Sequence, residues 1–182
     1  MATYEACRRV VASNVHDPKA VNALVNELVK LPEKMIQEFA DLDWHIFITK
    51  SSIENHVGIR LPDIKNGDGF IGGITFWECR TIFVPIFDGE DKYFAIEFST
   101  IHEFGHYFDR LKGYVSQSYE FQKIYNQDDR EFCEYVGRAS NTTSSDEFFA
   151  EAFAAYINNK EDLKIHCIDT YNYMKKLFDK YI

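Results

Sequence analysis

The feature that most narrows what this chain can fold into is a change of hydrophobic period near residue 93. Between residues 44 and 87, just upstream of it, the chain reads as strands. Trp44–Thr49 (Trp-His-Ile-Phe-Ile-Thr) is a β-branched and aromatic run of strand length. Ile71–Glu78 and Thr81–Phe87 are separated by Cys79-Arg80 and closed by Asp88-Gly89, the pattern of a β-hairpin. From Tyr93 to Leu111 the period becomes helical: Phe94, Phe98, Ile101, Phe104, Phe108 and Leu111 fall on adjoining turns, with Gly113 placed to cap the end. So regular an apolar series predicts a buried helix.

The flanking segments extend this pattern. Asp17-Pro18 has the form of an N-cap followed by proline at the first helical position. Val21, Leu24, Val25, Leu28 and Val29 then carry a helix, Pro32 interrupts it, and a shorter helix through Met35, Ile36 and Phe39 runs to Asp41. Past the long helix, Phe121–Tyr125 suggests a short helix. The polar run Ser140–Ser145 leads into a helix from Asp146 to about Asn158, broken at Asn158-Asn159, and Leu163–Tyr181 supplies closing helical segments. Helix, then strands, then mostly helices is the order of an α+β fold. One domain over 1–182 is expected, with a helical and β part to about residue 90 and a helical part from about 91.

Composition excludes several classes. Hydrophobic residues are 46% and charged residues 27%, the balance of an ordinary globular chain. The net charge of −9 repels phosphate backbones and anionic lipid, so neither nucleic acid nor a membrane is an expected partner. No apolar run approaches the ~18–20 residues of a membrane span, and the first residues lack the pattern of a signal peptide, which favours a cytoplasmic protein. Cys7, Cys79, Cys133 and Cys167 contain no C-x-x-C pair and read as free, mostly buried thiols. A monomer is expected.

The chemistry is concentrated in His102-Glu103-Phe104-Gly105-His106, an H-E-x-x-H pattern inside the long helix. Histidines four apart sit about 40° apart around a helix axis and ~6 Å apart along it, so both can reach one zinc ion. Glu103 projects beside them, suited to take a proton from a zinc-bound water. Two histidines and a carboxylate on a buried helix are costly unless something pairs them. Catalytic zinc takes three protein ligands, and the best third donor lies in Asp146-Glu147-Phe148-Phe149-Ala150-Glu151-Ala152-Phe153. There Glu147 and Glu151 share one face of a second, otherwise apolar helix.

Together, His102–His106 and the Glu-Phe-Phe-Ala-Glu run some 40 residues later resemble the catalytic domain of anthrax lethal factor and the related bacterial Pro-Pro endopeptidases. The likeness is specific over 102–109 and 146–153 and looser over about 65–157. It implies a zincin-like fold, in which a small sheet with a glycine-rich edge strand packs on the motif helix. It also implies one zinc per chain, held by His102, His106 and Glu147. Glu103 would be the general base, and Glu151 would steady a histidine ligand through its other ring nitrogen. The family places an oxyanion-steadying tyrosine shortly before the ligand glutamate. Glu134-Tyr135-Val136-Gly137-Arg138 looks like that region, so Tyr135 is the candidate, although it stands twelve residues before Glu147 rather than about seven. The family's substrate lies as an extended strand along the glycine-rich edge, which corresponds here to Gly72, Gly73 and Ile74.

The expected activity is zinc-dependent hydrolysis of a peptide bond in a protein substrate. The alternatives are a catalytically silent zinc module that captures peptides or serves a toxin system, and a narrow regulatory protease. Trp77 and the remaining histidines, His16, His45, His56 and His166, read as core or surface residues.

Overall fold

The computed structural model describes residues 1–50, 72–89, 92–136 and 144–181. The chain forms two compact units, Met1–Thr100 and Ile101–Ile182. The predicted polar loop after Arg138, the first residues of the predicted strand at Ile71, and His56 fall wholly or partly outside the described residues.

In the first unit, helix α1 (Tyr4–Arg9) starts where Thr3 Oγ1 accepts the Ala6 amide, and strand β1 (Val11–Ser13) follows it. Helix α2 (Pro18–Leu28) begins as its sequence predicts: Asp17 accepts the amides of Lys19 and Ala20, and Pro18, which has no N–H to satisfy, takes the first turn. Pro32 separates α2 from α3 (Glu33–Asp41). Strands β2 (His45–Thr49), β3 (Ile74–Phe76) and β4 (Thr81–Pro85) complete a sheet of order β1-β2-β4-β3. β1 and β4 run parallel to β2, while β3 is antiparallel to β4, so the hairpin is present and, among the described residues, β3 is the last strand on its side. Strand alternation points Ile46, Ile48, Ile82 and Val84 into a dry core with Leu24, Leu28, Met35, Ile36 and Phe39. Trp77 is half-buried, its ring edge-on to the buried Trp44 at 4.7 Å.

Helix α4 (Phe94–Leu111) is the predicted long helix. Its first turns correct one expectation: Phe94 and Phe98 are not core residues. They are 43% and 47% exposed and stack on each other at 4.7 Å. Periodicity identifies a helix and one of its faces, but it does not show how much of that face the rest of the chain covers.

In the second unit the remainder of α4 is followed by a 3₁₀ turn (Val115–Gln117), α5 (Tyr119–Val136), α6 (Ser145–His166) and α7 (Ile168–Phe178). Helix α6 is bent at Asn159, whose φ of −153° leaves helical geometry at the predicted break. Helix α5 is much longer than the expected Phe121–Tyr125. The core is aromatic: Phe121 meets Phe149 at 5.2 Å, Phe132 meets Phe148 at 5.0 Å, and Phe153 meets Phe178 at 4.9 Å. Two buried aspartates pin the connections. Asp109 accepts the Ser116 amide at 2.6 Å and its hydroxyl at 2.7 Å, and Asp128 accepts the Thr170 amide at 3.0 Å and its hydroxyl at 2.7 Å. All four cysteines are free; Cys7 and Cys167 are buried, and burial pushes their thiols up, to about 11 and about 12. Among the described residues no helix is long and apolar enough to cross a membrane.

Candidate functional site

Two helices of the second unit supply the site. Helix α4 carries His102, Glu103 and His106, and α6 carries Glu147 and Glu151. Spacing of four on each helix sets each pair on one face, as the sequence requires. The helices meet within the two motifs, where Gly105 lies directly against the backbone of Ala150.

This approach brings His102, His106 and Glu147 together. Nε2 of His102 and Nε2 of His106 are 3.1 Å apart, with the rings nearly perpendicular. Glu147 Oε2 lies 3.4 Å from Nε2 of His102, and its Oε1 lies 3.5 Å from Nε2 of His106. Four ligands around a zinc ion at 2.0–2.1 Å are separated by about 3.3–3.4 Å along each edge of the tetrahedron. The donor separations therefore fit one small tetrahedral cation without rearrangement. The donor set, two imidazoles and a carboxylate, is also that of a catalytic rather than a closed structural zinc site. Glu147 keeps 38% of its side chain exposed, so the cluster is open to solvent on that side.

The electrostatics fit the same reading. Burial disfavours a charged His102, but Glu147, Glu151 and Glu103 together outweigh it and raise its imidazole to about 10. His106 is likewise raised against the effect of burial, by Glu147 and Glu103. Burial opposes ionisation of Glu147, yet the two histidines hold its carboxyl well below the usual range. The shifts on both sides reflect carboxylates set against imidazoles, an arrangement whose negative charge a divalent cation would balance. Glu151 Oε1 lies 3.2 Å from His102 Nδ1, the ring nitrogen that Glu147 does not approach. Glu103 is buried beside the pair, where its charge reaches both histidines.

The structure places Tyr135 in other surroundings. It lies on α5, not in a loop before Glu147, and its ring stacks on His166 at 4.7 Å with 15° between the planes. It also meets the ring of Phe132, and burial together with Asp162 and Cys167 raises its hydroxyl. Helix α5 extends through Glu134, Tyr135 and Val136, the described part of the segment matched to the family's tyrosine region. In the first unit, Gly72 and Gly73 lead into the edge strand that starts at Ile74, and all three are half-buried. A methyl group on Gly72 would run into Ser99 Oγ, so the chain's own serine already occupies that side of the glycine. Gly105 and Ala150 escaped the sequence reading, although the signal was present as a small residue at the fourth position of each motif.

The sequence profile described as "Anthrax toxin lethal factor, N- and C-terminal domain" matches residues 5–177. No curated protein matches the sequence. Among solved structures, the Pro-Pro endopeptidase PPEP-2 from Paenibacillus alvei is similar with a TM-score of 0.75 and 25% sequence identity, over 95% of this chain and 100% of that one. The profile match runs through both motif helices and almost the whole of both units, and the chain therefore belongs to the anthrax toxin lethal factor N- and C-terminal domain family.

Proposed function

We propose that this protein is a zinc-dependent metalloendopeptidase that cleaves a protein or peptide substrate. One observation carries the reading. Two imidazole nitrogens and a carboxylate from separate helices converge at 3.1–3.5 Å, with a buried glutamate beside them. Membership of the lethal factor family and the likeness to an endopeptidase structure support it.

His102, His106 and Glu147 would hold the ion. When bound, zinc supplies Lewis-acid chemistry, polarising a carbonyl and acidifying water. Glu103 is then the general base: its carboxylate accepts a proton from the attacking water and returns it to the nitrogen of the departing amine as the peptide C–N bond breaks. Glu151 orients His102 from the far side of the ring. Gly73 and Ile74, at the edge of the sheet, offer backbone donors and acceptors suited to an extended peptide.

The test combines elemental analysis for zinc with cleavage of a peptide library that includes Pro–Pro bonds, with and without chelator. The expected result is about one zinc per chain and cleavage abolished by chelation. Zinc bound without cleavage of any library member would instead establish a silent peptide-capture module.

A further inference from the structure

Both motifs contain a residue that ligation does not require. Gly105 is the fourth residue of His102–His106 and Ala150 the fourth of Glu147–Glu151. Glycine is the poorest helix former after proline, so its place in the middle of an 18-residue helix needs a reason. The reason is contact. A methyl group built on Gly105 would lie 2.9 Å from Ala150 Cα, 3.2 Å from the Ala150 carbonyl oxygen and 3.2 Å from Phe153 Cβ. Two of these atoms are backbone and the third is fixed to it, so no rotamer change relieves the overlap. Ala150 and Phe153 are fully buried, which leaves separation of α4 from α6 as the remaining escape.

The geometry points to Gly105 as a positioning residue of the metal centre: by admitting the α6 backbone at Ala150, it sets the distance between the His102–His106 pair and Glu147. The inference rests on reading that cluster as a metal site. Reaching ordinary contact from 2.9 Å needs a shift of about half an ångström. Metal–ligand bonds tolerate about 0.2 Å. The displacement therefore exceeds what the ligand set can absorb.

The experiment measures zinc affinity by chelator competition, and the visible absorption of the cobalt-loaded protein, for the wild type, Gly105→Ala and Leu163→Ala. Leu163 is buried in α6 beyond the bend at Asn159, so its truncation lowers stability without touching the ligands. Gly105→Ala is expected to weaken zinc by at least about tenfold and to alter the cobalt spectrum. Leu163→Ala is expected to keep both at wild-type values. Circular dichroism monitors folding, and a variant that unfolds in buffer is titrated in an osmolyte that restores the compact state. Wild-type affinity and spectrum in Gly105→Ala, or equal losses in Leu163→Ala, overturn the inference alone. A wild-type chain that takes up neither ion overturns the metal centre and the inference with it.

Discussion

At the residue scale, three carboxylates lie near two imidazoles, and the proposed mechanism gives the three separable tasks. Glu147 is the one whose oxygens reach both Nε2 atoms, so Glu147→Ala removes a donor and leaves two histidines that cannot hold zinc tightly. The variant is expected to be purified without zinc, and wild-type zinc content in it would point to a different third ligand. Glu151 acts on the opposite ring nitrogen. Glu151→Gln should keep the ligand set yet lower zinc affinity by about 10–100-fold, read by competition with a chromogenic chelator. Glu103 touches neither task. Glu103→Gln should bind zinc as the wild type does while kcat falls by about 10²–10⁴-fold, and turnover at the normal rate would rule it out as the base.

At the scale of elements, the two aspartate caps allow sharp tests. Asp128 is buried on α5 and accepts two hydrogen bonds from Thr170 at the start of α7. Asp128→Ala leaves a buried amide and hydroxyl without that acceptor and should cost about 1–3 kcal/mol, measured by urea unfolding, with α7 amides losing hydrogen-exchange protection first. The same aspartate explains why α5 was expected to be short. It occupies a core-facing position between Phe121 and Phe132, so the apolar series fails just where a polar tertiary contact replaces it. Strand β1 was missed for another reason: three residues carry no period, and its parallel pairing with β2 depends on chain 35 residues away. Helices α2 and α4 could be read because their signals are local, a capping aspartate with proline in one and an unbroken apolar series in the other. Asp17 adds a pH test. The Lys92 ammonium at 2.6 Å, with Tyr93 and the first amides of α2, holds its carboxyl down to about 2 against the effect of desolvation. A carboxyl lowered on folding adds stability that is present above pH 4 and lost as the pH falls toward 2. Asp17→Asn should therefore reduce the urea midpoint at pH 5 and shrink the drop between pH 5 and pH 2.5. An unchanged drop would assign acid sensitivity to other groups.

At the scale of the whole molecule, the site is concentrated in one unit. His102, Glu103, His106, Glu147 and Glu151 all lie within Ile101–Ile182, whereas the sheet and its edge strand belong to Met1–Thr100. A ligand that binds only the folded state stabilises it by mass action, about 2.7 kcal/mol at a free concentration one hundred times Kd. For a chain of this length that corresponds to a rise in Tm of about 5–10 °C. Zinc is therefore expected to raise the Tm by that amount in calorimetry, a chelator to reverse it, and Glu147→Ala to show no rise. Hydrogen exchange should localise the gain, because metal linkage protects the segments that donate ligands and what packs directly on them. New protection is expected in the second half of α4 and the first half of α6, with β2 and β4 exchanging as before. A Tm indifferent to zinc would refute the metal centre. A gain spread evenly through the sheet would show that the two units respond to the ion as one cooperative body, because only coupling could carry its free energy beyond the helices that bind it.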